Sequence, residues 1–332
     1  MSDLPAGLHE FIAKAGWGDA AIEPIPGDAS FRRYFRLCRP GTTPDSAMLM
    51  HAPPPHEDPA PFLKVAHWLN DNGMRAPHIH AEDASQGWVL TEDFGDDRMR
   101  EWIDARPEDE EAAYEEAIEA LIDLHRLPPG PFPAYDMATY LREARLLVEW
   151  YAPAMGLDID AEGYEAAWRE VLAPVIARQQ PGVTVLRDYH AENIMLLGPP
   201  GSGAGQGLID FQDALVGHPA YDLVSLLQDA RRDVDQGFAD GLRAHYQHRT
   251  GSFTEHFIAD FATLGAQRNA KIVGIFTRLF KRDGKDRYLA MIPRVWNLLE
   301  ADLRYSALKP VADWFAANIP EDLRRNGGGT IT

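Results

Sequence analysis

Leu186-Arg-Asp-Tyr-His-Ala-Glu-Asn-Ile-Met-Leu-Leu197 and, beyond a glycine-rich stretch, Leu208-Ile-Asp-Phe-Gln-Asp213 set acids and an amide among short apolar runs. Reduced to chemistry, the two segments offer Asp188, Asn193 five residues later, and Asp210 after a return of the chain. Each alone has a plain structural explanation: a turn cap, a strand start, a strand end. In this order and together they meet the needs of phosphoryl transfer. A carboxylate must orient the attacking hydroxyl and finally take its proton, and two oxygen ligands must hold Mg²⁺ against nucleotide phosphates. A loop carrying Asp188 and ending in Asn193 at a strand start supplies the first two groups. A strand over Leu208–Phe211 brings Asp210 beside Asn193. The cofactors expected are therefore ATP and Mg²⁺.

The chain before residue 94 has a different texture. Leu4, Leu8, Phe11, Ile12 and Ala15 recur at helical spacing, with Ser2 or Asp3 as N-cap before Pro5. Ile22–Ile25, Ser30–Leu37, Ala47–His51 and Gly87–Thr91 read as strands, and residues 59 to 70 as a helix carrying Phe62, Val65, Ala66 and Leu69. Helices are expected over Glu108–Leu127, 138 to 151 and 161 to 178. Short strands follow at Val183–Leu186, Ile194–Leu197 and Leu208–Phe211, and everything after Tyr221 is helical. The fold class is α+β: a small β-rich lobe over residues 1–93, then a larger, mainly α lobe over residues 94–332.

Among the 332 residues, 32 Lys and Arg face 51 Asp and Glu, a formal charge of −19. That balance argues against a nucleic-acid partner, whose affinity comes largely from cations on phosphates. With 45% hydrophobic and 25% charged residues, the composition is that of a globular protein. A single cysteine, Cys38, excludes an intrachain disulfide and a cysteine-built zinc site. No apolar run is long enough to span a membrane, and the N-terminus lacks the pattern of a signal peptide. A cytoplasmic protein acting on small molecules, with no obligate protein partner, is the expectation.

Arg187, Asp188 and Asn193 reproduce the catalytic-loop spacing of kinases, Arg-Asp, four residues, then Asn. With them, the chain from residue 22 to 310 resembles the aminoglycoside phosphotransferase and choline kinase superfamily, whose bilobal fold is similar to that of protein kinases. The strings DASFRRYFRL, HAPPP, WVLTEDFGD, LRDYHAENIMLL, LIDFQDALVGHPAYDLVSLLQDAR and QRNAKIVGIFTRL look like one branch, the N-acetylmuramate and N-acetylglucosamine anomeric kinases of cell-wall recycling. The resemblance implies Asp188 as catalytic base and Asn193 and Asp210 as magnesium ligands. It also implies a nucleotide-binding linker over Leu90, Thr91, Glu92 and Asp93, whose backbone would meet the adenine edge. The activity it implies is ATP-dependent transfer to an anomeric hydroxyl. The alternatives are another acceptor (an aminoglycoside, choline or another small alcohol) and a non-catalytic nucleotide-binding regulatory module.

The sequence departs from the broader pattern in two places. Met50 stands where the phosphate-binding lysine belongs, and the helix at 59–70 has no Glu to pair with such a lysine. Arginine is a good phosphate ligand through its forked donors, so Ser30, Arg32 and Arg33 are candidate replacements, against the plainer reading that these arginines pair with surface acids. On the acceptor side, His190, Glu192, Gln212 and Asp213 are candidate contacts. Arg268 joins them: it falls on the apolar stripe of residues 257 to 281, where an inward cation needs a partner. That partner is either Asp222 or another core carboxylate, or else a sugar hydroxyl or the lactyl carboxylate of a muramic acid. Gly201–Gly207 lacks the Lys-Ser/Thr of a P-loop and reads as a hairpin tip; Trp150-Tyr151 reads as core.

Overall fold

Alternation builds the first sheet. In Arg33–Cys38 (β2) Phe35 and Leu37 are buried on one side, and in Ser46–His51 (β3) Ala47 and Leu49 are buried opposite them. A computed structural model describes residues 4–26, 31–252 and 254–331. Before the sheet lies the helix Leu8–Lys14 (α1), and the sheet begins at Ala21–Ile25 (β1). After β3 come the helix Ala60–Asp71 (α2) and the strands Ile79–Asp83 (β4) and Trp88–Glu92 (β5). The five strands are antiparallel in the order β1-β2-β3-β5-β4. Phe35 pairs with Leu49, and Leu49 with Leu90, so one apolar row crosses three strands and packs with Leu8, Phe11 and Ile12 of α1. The opposite face buries Met50, Ala52 and Val89 with Leu63 of α2. The expected caps Ser2 and Asp3 lie outside the described residues. β4 is an addition to the expected strands; its residues alternate between half-buried and exposed and give little apolar signal.

Next come the helices Met99–Ala105 (α3), Glu110–Arg126 (α4), Met137–Leu146 (α5), the turn Ala152–Ala154 (α6) and Ala161–Arg178 (α7). The expected single helix over 138–151 is instead α5 running into a π-helical turn at Leu147–Tyr151. Four short strands follow: Val183–Val185 (β6), Ile194–Leu196 (β7), Gln206–Leu208 (β8) and Leu215–Gly217 (β9). β6 pairs with β9 and β7 with β8. The rest is helical: Ala220–Leu227 (α8), Gln236–Thr250 (α9), Glu255–Asp283 (α10), Ile292–Asp302 (α11), Lys309–Asn318 (α12) and Glu321–Arg325 (α13). α10, 29 residues long, is capped by the Thr254 hydroxyl on the Phe257 N–H, and it ends at Gly284 in the left-handed conformation.

The chain divides into two compact units, one comprising residues up to Glu116 with Glu192–Asp213, the other Ala117–Ala191 with Ala214 onward. A break at residue 93/94 is therefore not where the structure divides. The β7–β8 hairpin belongs with the first sheet, because the Leu196 N–H donates to Asp97 O and the Leu208 N–H to Arg75 O, both at 2.8 Å. Gly207 seals the contact: a side chain there would enter the ring of Phe94. In the second unit α10 is central, packing on α5, α7, α8 and α11. Gly274 permits the close crossing over α5, since a Cβ at that position would meet the backbone of Leu146.

Candidate functional site

Asp188 follows β6 on a loop whose backbone is pinned from beneath. Asp222, fully buried at the start of α8, accepts the N–H of Leu186 at 2.6 Å and of Arg187 at 2.8 Å. Burial pushes the Asp222 carboxyl up to about 7, against the two N–H donors that favour its anion. Arg187 then adopts φ 72°; with Asp210 (φ 58°) it is a positive-φ residue other than glycine, a strained state that persists only where surrounding contacts enforce it. The Arg187 guanidinium pairs with buried Glu143, which also takes Lys271 Nζ at 3.1 Å and the Tyr135 hydroxyl. For Asp188 itself, desolvation raises the pKa, but Lys271, His190, Arg268 and Arg187 together outweigh it and hold the carboxyl below its usual range.

A small pocket opens at Asp188, bounded by the cations Arg231, Arg268 and Lys271. Its remaining wall is Ile272, Ile275 and Phe276, all from α10. His190 is buried at its side, with Nε2 3.2 Å from Arg231 Nη1. Arg268 is buried as expected: its Nη2 donates to the Ser225 hydroxyl at 2.7 Å, and its charge favours the anions of the core carboxylates Asp222 and Asp188.

Within the first unit, a single turn at Ala191–Asn193 leads into β7. The Ile209 N–H donates to Asn193 O at 3.1 Å, so the two hairpin ends stay together. The expected strand over Leu208–Phe211 ends at Leu208, and Asp210 sits on the turn after it. Asn193 Nδ2 is 3.3 Å from Asp210 Oδ2, and Gln212 Nε2 donates to Asp210 Oδ1 at 2.9 Å. A carboxylate and a side-chain amide in contact, with Asp210 exposed, suit Mg²⁺, which takes one or two protein oxygens and completes its shell with phosphate and water. Among the described residues no cluster of three or more His, Cys, Asp or Glu offers a fuller cage. Glu192 is paired with Arg100, and Asp213 is exposed. Gly201–Gly207 lies in and after the β7–β8 loop, and Tyr151 is core, its hydroxyl on Gly328 O at 2.6 Å.

The nucleotide-side candidates lie in the following surroundings. Met50 is 2% exposed and packs in the sheet's second core, with the Tyr34 hydroxyl 3.5 Å from its sulfur. β5 is flanked by β3 and β4, so its backbone is already paired on both edges; the Glu92 N–H donates to His78 O. Leu90 is core, the Thr91 hydroxyl donates to Met48 O, and Glu92 holds Arg75 through both oxygens. Asp93 pairs with Arg36 at 2.7 Å. The backbone of β5 through the Glu92 N–H is thus engaged within the sheet. Arg32 pairs with Glu57 at 3.3 Å, and the Arg33 guanidinium lies 5.3 Å from the Phe35 ring centre. Ser30 lies outside the described residues.

Sequence reasoning missed Lys271, Arg231 and Glu143. Lys271 was legible: it lies one turn from Arg268 on the same buried helix face. Arg231 in Asp229-Ala-Arg-Arg-Asp and Glu143 in Leu141-Arg-Glu-Ala-Arg read as solvated charge.

Residues 21–261 match the model of the phosphotransferase enzyme family. The chain is 34% identical to an N-acetylmuramate/N-acetylglucosamine kinase of Caulobacter vibrioides, over 98% of this chain and 99% of that protein. It is 36% identical to one of Pseudomonas aeruginosa, over 90% of this chain and 89% of that one. Among solved structures, a choline/ethanolamine kinase family protein from Mesorhizobium loti superposes with a TM-score of 0.63 at 15% identity, covering 94% of this chain and 98% of that one. An aminoglycoside phosphotransferase from Streptomyces rimosus, in complex with ADP and streptomycin, gives 0.54 at 19%, covering 78% and 98%. The α+β, protein-kinase-like fold expected from the sequence is the fold observed.

Proposed function

Because the chain belongs to the phosphotransferase enzyme family, we propose that it transfers the γ-phosphoryl group of ATP to the anomeric hydroxyl of N-acetylmuramate and N-acetylglucosamine. The observation that carries this reading is Asp188, a carboxylate kept anionic by surrounding cations at the mouth of a pocket. In this role it accepts a hydrogen bond from the sugar hydroxyl, fixes its direction and takes its proton as the phosphoryl group arrives. A weak base suffices, because phosphoryl transfer has a loose transition state in which the proton need not leave early. The hydroxyl at an anomeric carbon is also more acidic than an ordinary alcohol. The cations around Asp188 disfavour a polycationic acceptor such as an aminoglycoside.

Asn193 and Asp210 would hold Mg²⁺, with Gln212 orienting the Asp210 carboxylate. Bound there, the ion would neutralise charge on the nucleotide phosphates. Arg32 and Arg33 supply phosphate donors in place of the missing lysine, Arg32 by exchanging Glu57 for an anionic oxygen. Arg33→Ala and Arg32→Ala should each raise KM for ATP; wild-type values in both would remove the arginines from this role.

The function is tested by phosphorus NMR after incubation with ATP, Mg²⁺ and N-acetylmuramate. A sugar 1-phosphate signal is expected. A phosphomonoester at another carbon, or no phosphorylated sugar with either amino sugar, would overturn the proposal.

A further inference from the structure

Lys271 is buried on α10, where an ammonium persists only with an anion beside it. That anion is Glu143 of α5, the helix that packs across α10, with Nζ 3.1 Å from Oε1. Among the described residues this contact is the ion pair and the hydrogen bond that the ammonium makes. Yet Lys271 also lines the pocket at Asp188, and of the surrounding cations it acts most strongly on that carboxylate. It does so through space, without taking a hydrogen bond from the Asp188 oxygens. Glu143 holds a second group as well: it pairs with Arg187, the residue before Asp188, whose backbone stands at φ 72°. One buried acid therefore fixes both the chain leading into Asp188 and the cation beside it.

We infer that Lys271 is a positioning residue for the reaction: tethered to Glu143, its ammonium supplies the counter-charge that Asp188 needs as a base, without pairing with the carboxylate that must meet the acceptor hydroxyl. The inference rests on Asp188 as the base in the function proposed above and deepens it. A cation in direct contact with the base would compete with the hydroxyl for its lone pairs. With no counter-charge, burial would drive the carboxyl toward its protonated form. A tethered cation meets both needs, because in the protein interior a charge acts over several ångströms. The other charged groups around the carboxylate are Arg187, His190, Arg268 and Arg231, with the acid Asp222, and Lys271 also faces Tyr221. Replacing Lys271 by a neutral side chain removes one positive charge from this set. The Asp188 carboxyl then takes up its proton at a higher pH, and activity is lost earlier as the pH falls.

The test is the kcat of Lys271→Met divided by that of the wild-type protein, measured across pH with N-acetylmuramate and saturating ATP and Mg²⁺. Division removes the titrations of nucleotide and sugar, which both proteins share. With the cation gone, the ratio should fall about 10-fold between about pH 8 and about pH 5.5, as the protonation of the carboxyl moves toward that window. Lys271→Arg keeps the charge, so its ratio should stay flat. A purely structural lysine would lower the unfolding midpoint and reduce kcat by one factor at every pH. A flat ratio in Lys271→Met, or an equal fall in Lys271→Arg, therefore overturns the inference. Lys271→Gln keeps a donor for Glu143 and carries the same comparison where the methionine variant does not fold. Either contrary result leaves Asp188 as the base; the failure of that reading shows separately, as wild-type turnover in Asp188→Asn.

Discussion

Glu143 anchors two of the cations around Asp188, Arg187 and Lys271. It is buried, and it takes Arg187, Lys271 and the Tyr135 hydroxyl at once. Burial alone would raise its pKa, but Lys271 and Arg187 hold it below the usual range, so it is an anion. Both of those cations also stabilise the Asp188 carboxylate. Removing the Glu143 charge leaves two buried cations with less than they need. Glu143→Gln should therefore lower unfolding stability by about 3–5 kcal/mol, the cost of breaking a buried pair from one side. Urea unfolding measures it, and an unchanged midpoint would show that Asp188 and Asp222 suffice as counter-ions. At this scale the sequence was informative where a residue broke its surroundings. Arg268 stands out as a charge on an apolar stripe, whereas Glu143, between Arg142 and Arg145, is indistinguishable from a surface acid until α5 is packed.

At the scale of elements, α10 supplies most of the pocket's lining and packs against the π-helical turn after α5. The turn inserts one residue into a run that otherwise reads as a continuous helix, and apolar periodicity over so short a stretch does not register the insertion. Gly274 lies where α10 crosses the end of α5, so an alanine there would have to displace the Leu146 backbone rather than a mobile side chain. Gly274→Ala should cost about 1–3 kcal/mol as an overpacked core. A thermal unfolding midpoint equal to wild type would mean that the crossing has slack. The helices α4, α7 and α10 were legible because each is long and amphipathic. β4 and β9 were not, because strands of five and three residues with half-buried side chains carry little period-two signal. The apolar run places Asp210 on a strand, whereas the hairpin ends at Leu208 and leaves Asp210 on a turn at positive φ, an end that sequence alone does not mark.

For the whole molecule, total charge and local charge point in opposite directions. The whole chain carries a formal −19, yet the pocket at Asp188 gathers Arg231, Arg268 and Lys271. Net charge argues against a nucleic-acid partner but could not foresee this, because it says nothing of which residues meet. The same holds for the two units. Glu192–Asp213 joins the N-terminal sheet through hydrogen bonds to Arg75 and Asp97, partners that no composition shift along the chain reveals. The order Asp188, Asn193, Asp210 was legible throughout, because phosphoryl transfer restricts which side chains can serve and at what spacing. The central element of the proposed function is Asp188 as the base, and the most direct measurement sets turnover against ATP binding in Asp188→Asn. Asparagine keeps the shape and cannot take the proton, so kcat should fall ~10²–10⁴-fold while the ATP dissociation constant stays at the wild-type value. Turnover at the wild-type rate with N-acetylmuramate would contradict the assignment.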